Sequence, residues 1–275
     1  MSLKATEISS KTFNDLLSSY PNHVPSKLHD LEAFRNTELP TTLNSRTGKD
    51  LYLRKPELTR LPLTIGSKHG TFRPTLLSLV SSNDDSAIES ATASAYAAHT
   101  ASPDAYKHSN AVTSLRGVGI ATGSLVLSVL DPEGVPFFGD EVFRWVMWDE
   151  PHTGPSSQSG WARKIGYTAK EYKRFAEMVK DVVERLGVGA GDVERVGYVL
   201  GKEKRDLAGD GGDVERETEE GEKETVKKGV KRKVGEEKAS QSEVPKNKKK
   251  TKVESGKSQA VETTRSTRSS SRRKT

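Results

Sequence analysis

The sequence predicts an all-α protein, a helical domain followed by a basic tail. Three observations predict it. Up to about residue 200, apolar residues recur at three- and four-residue spacing, and no segment reads as a strand. Residues 201–275 contain no aromatic, Ile or Met residue, and high charge with so little apolar content is the composition of disorder. Between these regions, Leu115–Trp148 runs through a glycine turn, an apolar helix, a Gly/Pro loop and an acidic helix start.

Three parts are expected: an N-terminal helical segment over 1–48, loosely attached; a helical domain over 49–203; and a disordered tail over 204–275. In the first part, Phe13, Leu16 and Leu17 share one helical face, and Pro21 is expected to end that helix. Leu28, Leu31 and Phe34 repeat the spacing, and residues 37–48 read as a loop. A helix over 50–65 is expected to break at Pro56 and Pro62. Pro74 suits the first turn of another helix, continued as a buried one by Leu76, Leu77, Leu79 and Val80. Ile88, Ala91, Ala95 and Ala98 form a narrow stripe for close helix packing. Asp104 is placed to cap the helix that enters the glycine turn. Val142, Phe143, Val146 and Met147 mark a buried helix after Asp140. Thr168 and Glu171 form a capping box, and Tyr172, Phe175, Val179, Val182, Val183 and Leu186 follow at helical spacing up to Gly187. The glycines of 187–191 lack a preceding strand and a Lys-Ser/Thr ending, so they read as a linker. Asp192 is expected to cap a last helix to about Leu200.

Charge divides the chain. Residues 201–275 carry 22 Lys/Arg and 15 Asp/Glu, whereas residues 1–200 carry 22 and 23. The net charge of +6 therefore belongs to the tail, and bulk charge does not make the helical part a nucleic-acid binder. The chain has no cysteine, which excludes disulfides and suits an intracellular protein. No apolar run approaches the roughly 20 residues that span a bilayer, so no membrane partner is expected.

The turn Leu115-Arg116-Gly117-Val118-Gly119 has a backbone rationale. Glycine permits positive φ and removes the Cβ that would obstruct close approach. With the unpaired N–H groups at the start of the next helix, around Ala121 and Thr122, such a turn forms an anion nest suited to phosphate. Lys68, His69 and Arg73, in Lys68-His69-Gly70-Thr71-Phe72-Arg73-Pro74, either face the same nucleic-acid backbone or belong to an ordinary basic loop that caps a helix. The turn itself reads as a phosphate grip or as a plain helix–turn–helix corner. Asp140 reads as a catalytic carboxylate or as a helix cap. Phe137, Phe138, Phe143, Trp145, Trp148 and Trp161 read first as core and second as surfaces on which an extruded base stacks.

These residues resemble the helix-hairpin-helix of the HhH-GPD DNA glycosylases, whose motif is leucine, any residue, glycine, apolar, glycine, a helix, a Gly/Pro loop and a catalytic aspartate roughly twenty residues on. Asp140 stands 21 positions after Gly119. A longer pattern is similar to a eukaryotic family with many fungal members and the insect protein Amun. It runs through His69–Pro74, Gly160-Trp161, Lys164–Thr168 and Tyr198–Glu203. The resemblance implies a DNA glycosylase-like helical fold, phosphate contacts at Gly117, Gly119, Ala121 and Thr122, and catalysis by Asp140. Bifunctional members carry a Schiff-base lysine two residues after the second glycine. This chain has Ala121 there, which argues against lyase chemistry. The iron–sulfur cluster of many members needs four cysteines, and this chain has none. No cofactor and no metal are expected.

In the tail, Lys231-Arg232-Lys233 and Lys248-Lys249-Lys250 lie in basic clusters that read as nuclear-localisation signals, as nonspecific nucleic-acid contacts, or as a solvated charged tail. Followed by a Ser/Arg-rich end, they favour nuclear targeting. The expected protein is a nuclear, monomeric binder of double-stranded DNA that meets an import receptor. Three functions stay open: a base-excision N-glycosylase without lyase activity, an inactive hairpin adaptor for DNA or protein, and a protein-interaction domain whose tail supplies the nucleic-acid affinity.

Overall fold

The Ser9 side chain accepts from the Thr12 N–H and starts α1, Ser10–His23, which buries Phe13, Leu16 and Tyr20 on one face. The computed structural model describes residues 2–66, 74–151 and 159–207, and these are helical with no strand among them. The helices that follow are α2 (His29–Ala33), α3 (Leu39–Asn44), α4 (Lys55–Gly66), α5 (Pro74–Ser81) and α6 (Asp85–Ala101). Then come α7 (Ala105–Ala111), α8 (Ile120–Ser128), α9 (Asp140–Val146), α10 (Ala169–Leu186) and α11 (Ala190–Glu203). None of the described helices is long and apolar enough to cross a membrane. The basic clusters at 231–233 and 248–250, and the expected disorder after 207, lie outside the described residues.

Several local expectations are corrected, three of them at prolines. Pro21 lies inside α1 rather than ending it. Residues 37–44 are no loop: a π-turn over Phe34–Glu38 leads into α3, which buries Leu39 and Leu43. Pro40 sits in the first turn of α3, directly after the π-turn. Pro56 begins α4, and Pro62 lies inside it while Leu58 and Leu61 are fully buried. Burial of the apolar face outweighs the backbone bond that each internal proline removes. On α5 only Val80 is buried, and Leu79 is 44% exposed. The buried stripe of α6 is Ile88, Thr92, Ala95, Tyr96 and His99, while Ala98 is exposed. Gly189, not Asp192, caps α11.

The apolar residues form two clusters. One joins α1, α9, α10 and α11 around Trp145, Phe138, Phe143 and Phe175. The other joins the π-turn, α3, α4, α6 and most of α8. Helix α8 bridges them: Ile120 enters the first and Leu125, Val126 and Leu127 the second. The capping box of Thr168 and Glu171 starts α10, and Gly187 ends it at φ +68°. Beyond it, the first N–H groups of α11 are already bonded, Ala190 to the Glu133 carbonyl and Gly191 to the Pro132 carbonyl, each at 2.9 Å. That glycine stretch therefore docks a loop and leaves no anion site.

The N-terminal segment is not loosely attached. Trp145 Nε1 donates to the Leu3 carbonyl at 2.8 Å, and Arg185 donates to the carbonyls of Ile8 and Ala5 at 2.8 and 2.6 Å. Arg35, on the π-turn, forms a two-pronged bond to Glu194 of α11 at 2.6 and 2.5 Å. Burial opposes the Arg35 charge, but Glu194 beside it holds the guanidinium above its usual pKa. Breaking one partner of such a pair leaves a charge buried alone. The boundary at 203 is also too early. Leu207 is fully buried, its carbonyl accepts from the Leu3 N–H at 3.2 Å, and the Arg205 carbonyl accepts from Trp161 Nε1 at 2.8 Å.

Candidate nucleic-acid interface

Asp104 caps α7 by accepting from the Lys107 N–H at 2.8 Å. A short 3-10 turn over Val112–Ser114 carries the chain into the hairpin, where Leu115 and Val118 are each 5% exposed and pin the turn to the core. The Val118 N–H closes it on the Leu115 carbonyl at 3.1 Å. Helix α8 then returns against α7. A Cβ on Gly123 would come within 2.2 Å of the Ser109 carbonyl oxygen, so glycine sets that approach.

The two hairpin glycines have different surroundings. Gly117 has φ +74°, and an added Cβ would meet Leu79 Cβ at 2.8 Å, Val80 N at 3.0 Å and Leu76 O at 3.1 Å. Its turn lies directly on α5. Gly119 has φ −88° and is exposed, and an added Cβ there would meet nothing within 4 Å. Gly119 caps α8 without any side-chain capping bond. The first N–H groups of a helix have no partner within it, and among the described residues none bonds the N–H of Ile120 or of the half-buried Ala121 and Thr122. Such an end accepts an anion.

Asn83 fixes the turn from outside. Its Oδ1 accepts from the Arg116 N–H at 2.8 Å, and its Nδ2 donates to the Arg116 and Val80 carbonyls, both at 2.9 Å. One buried amide thus ties the hairpin to the end of α5. The sequence marks Asn83 only as a residue in a polar turn. Lys68, His69 and Arg73 lie outside the described residues.

Asp140 is the first residue of α9, and Gly139 rather than Asp140 is the cap. The carboxylate is bound on both sides. Arg144 Nη2 lies 3.1 Å from Oδ2, and the Tyr167 hydroxyl donates to Oδ1. Arg144 is itself held, because its Nε donates to the Arg163 carbonyl at 3.0 Å. Tyr167 went unassigned in the sequence, yet it carries two unusual features. Its φ of +51° is rare for a residue with a side chain, and it is 37% exposed despite its size. Its ring centroid lies 5.5 Å from that of Phe138. The Phe138 N–H donates to Ser124 Oγ of α8 at 2.9 Å, so a short contact path joins the hairpin helix to Asp140.

Of the aromatic cluster, Phe137, Phe138, Phe143 and Trp145 are core. Trp148 and Trp161 are half-buried and meet edge to face at 5.3 Å. A cavity of about 800 Å³ lies between α7, α10 and the turn at 131–134, and Asp140 is not among its lining residues. The hairpin does not line this cavity either. Comparison with protein-family models, curated proteins and solved structures returned no match to this chain.

Proposed function

We propose that the chain is a nuclear protein that binds double-stranded DNA through the Gly117–Gly119 hairpin, with Asp140 as the carboxylate of a base-excision N-glycosylase. The observation that carries the reading is Gly119. Neither positive φ nor packing requires glycine there. Besides its modest advantage over alanine as a cap, what glycine offers there is access: the bare α8 backbone can approach a phosphate oxygen closely. Lys68 and Arg73 would add charge beside it, and the basic clusters of the tail would supply nuclear import and nonspecific affinity. In the glycosylase step, ionised Asp140 stabilises positive charge building on the deoxyribose as the base departs and orients the attacking water. With Ala121 at the lysine position, no Schiff base forms, and the product is an abasic site in an intact strand.

A second reading, an inactive hairpin adaptor, is favoured by one feature. Asp140 is engaged by both Arg144 and Tyr167, so a substrate must displace a bond before that carboxylate acts.

The test uses the chain ended after Leu207, the last described residue, so that the basic tail does not dominate. Binding to a labelled duplex is followed at rising salt, where phosphate contacts give a linear fall in log affinity. Absence of binding overturns the reading. The full chain is then incubated with duplexes bearing alkylated, deaminated or oxidised bases, and alkali reveals abasic sites. Asp140→Asn is expected to abolish release and keep binding. Binding without release from any lesion selects the adaptor.

A further inference from the structure

The strongest feature outside that surface is a buried histidine pair. His99, in the last turn of α6, and His108, on α7, are each 4% exposed. Their Nδ1 atoms face each other at 3.3 Å, and the rings stand at 84°. His99 Nε2 lies 2.9 Å from Asp131 Oδ2, and Asp131 Oδ1 accepts from the Gly134 N–H at 2.8 Å. Three elements, α6, α7 and the 131–134 turn, thus meet in one chain of bonds.

The proton count in this chain is constrained. At neutral pH Asp131 is an acceptor, so His99 Nε2 carries a proton toward it. In neutral His99 the Nδ1 is then an acceptor, and His108 Nδ1–H fills it. The Asp104 N–H also approaches His99 Nδ1, at 3.4 Å, so that atom stays an acceptor and one added proton goes to His108. Both states keep the central bond. With two added protons, two N–H groups point at each other and the bond cannot form.

We infer that the His99–His108 pair is an acid-released latch, which admits one added proton and opens when the second enters. Release frees α7 from the end of α6. Because α7 is the first helix of the hairpin, the latch links proton concentration to the seating of Gly117 and Gly119. It also borders the cavity, since His99, Asp131 and α7 line its wall.

Carboxylates outnumber cations around the pair, so the latch depends on the two facing N–H groups and not on uncompensated charge. From its own helix, His108 faces Lys107 and the Asp104 cap. From the turn, His99 faces Asp131, with Glu133 beyond it. Across the cavity α10 presents Lys173 and Lys180 together with Glu177 and Glu184, equal numbers of each sign. Burial first, and then His99, hold the His108 pKa below its ordinary value, whereas the bond from His99 holds Asp131 below the usual carboxylate range. A lowered histidine pKa means that the unfolded chain takes the proton first. That contribution to stability is whole above about pH 6.5 and declines as pH falls toward the folded value.

The experiment is a histidine ring NMR titration of the full chain from about pH 8 to about pH 5, with amide hydrogen exchange along α7. The expected result is one ring of the pair titrating well below the ordinary range, with α7 amides losing about tenfold protection as it does so, after correction for the intrinsic pH dependence of exchange. His108→Asn keeps a hydrogen-bonding amide near the Nδ1 position and takes no proton, so the pair never gains two and α7 protection is expected to stay constant over the same range. Two rings that titrate independently near the ordinary value, with α7 unchanged, would overturn the inference. So would equal acid loss of α7 protection in His108→Asn. If that variant does not fold, the wild-type titration decides alone.

Discussion

The hairpin between α7 and α8 and the contact between α9 and α11 are both built on glycines, yet the glycines do different work. Along α11, Gly197 and Gly201 are four residues apart and face α9. A Cβ on Gly197 would lie 2.7 Å from Val142 Cα, and one on Gly201 would lie 2.4 Å from Glu141 Cγ. Packing accounts for both. In the hairpin, packing and positive φ account for Gly117 but leave Gly119 in open space. The contrast separates a glycine that packing explains from one that it does not, within a motif of five residues.

The largest expected effect is at Gly117. Gly117→Ala carries a left-handed penalty of about 1–2 kcal/mol and forces a methyl against the α5 backbone, an overpacking cost of about 1–3 kcal/mol. A loss of about 3 kcal/mol is expected in urea unfolding at neutral pH. A loss below about 1 kcal/mol would show that α5 yields to the hairpin and that the contact is soft.

Next is Gly197→Ala. The new methyl meets the Val142 backbone, which cannot rotate away, and overpacking costs about 1–3 kcal/mol. Alanine returns about 1 kcal/mol of helix propensity. The net loss expected by the same unfolding measurement is about 1–2 kcal/mol, with DNA affinity unchanged. Weaker DNA binding without loss of stability would mean that α11, not the hairpin, contacts the ligand.

How far the sequence carried these distinctions depends on how local each feature is. The hairpin and the Thr168–Glu171 capping box were legible because each is written in fewer than six consecutive residues. The proline breaks were misread because Pro21 and Pro62 obey a local rule that burial of neighbouring Tyr20 and Leu61 overrules. The docking of the N-terminal segment was hidden for a different reason. Leu3 and Trp145, or Arg35 and Glu194, are more than a hundred residues apart, and no periodicity pairs them. The site was legible in the same uneven way. Gly117 and Gly119 stood out as a short glycine motif, and Asp140 only through the family resemblance. Asn83 and Tyr167 act through partners 33 and 27 residues away, so only the fold reveals them.

The smallest expected effect on stability is also the most informative. Gly119→Ala adds a methyl that touches nothing at a φ that alanine adopts freely. Alanine is a poorer cap than glycine, so the cost is about 0.5 kcal/mol, barely above the error of an unfolding curve. If the bare end of α8 receives a phosphate, the same methyl stands where the oxygen must come, and duplex affinity is expected to fall about tenfold, or 1.4 kcal/mol. The ratio of the two effects carries the argument. Gly117→Ala lowers stability first and binding through it, whereas Gly119→Ala should lower binding while the fold stands. Full affinity in Gly119→Ala would return the hairpin to the same standing as α9 and α11, a corner where glycine serves only the chain.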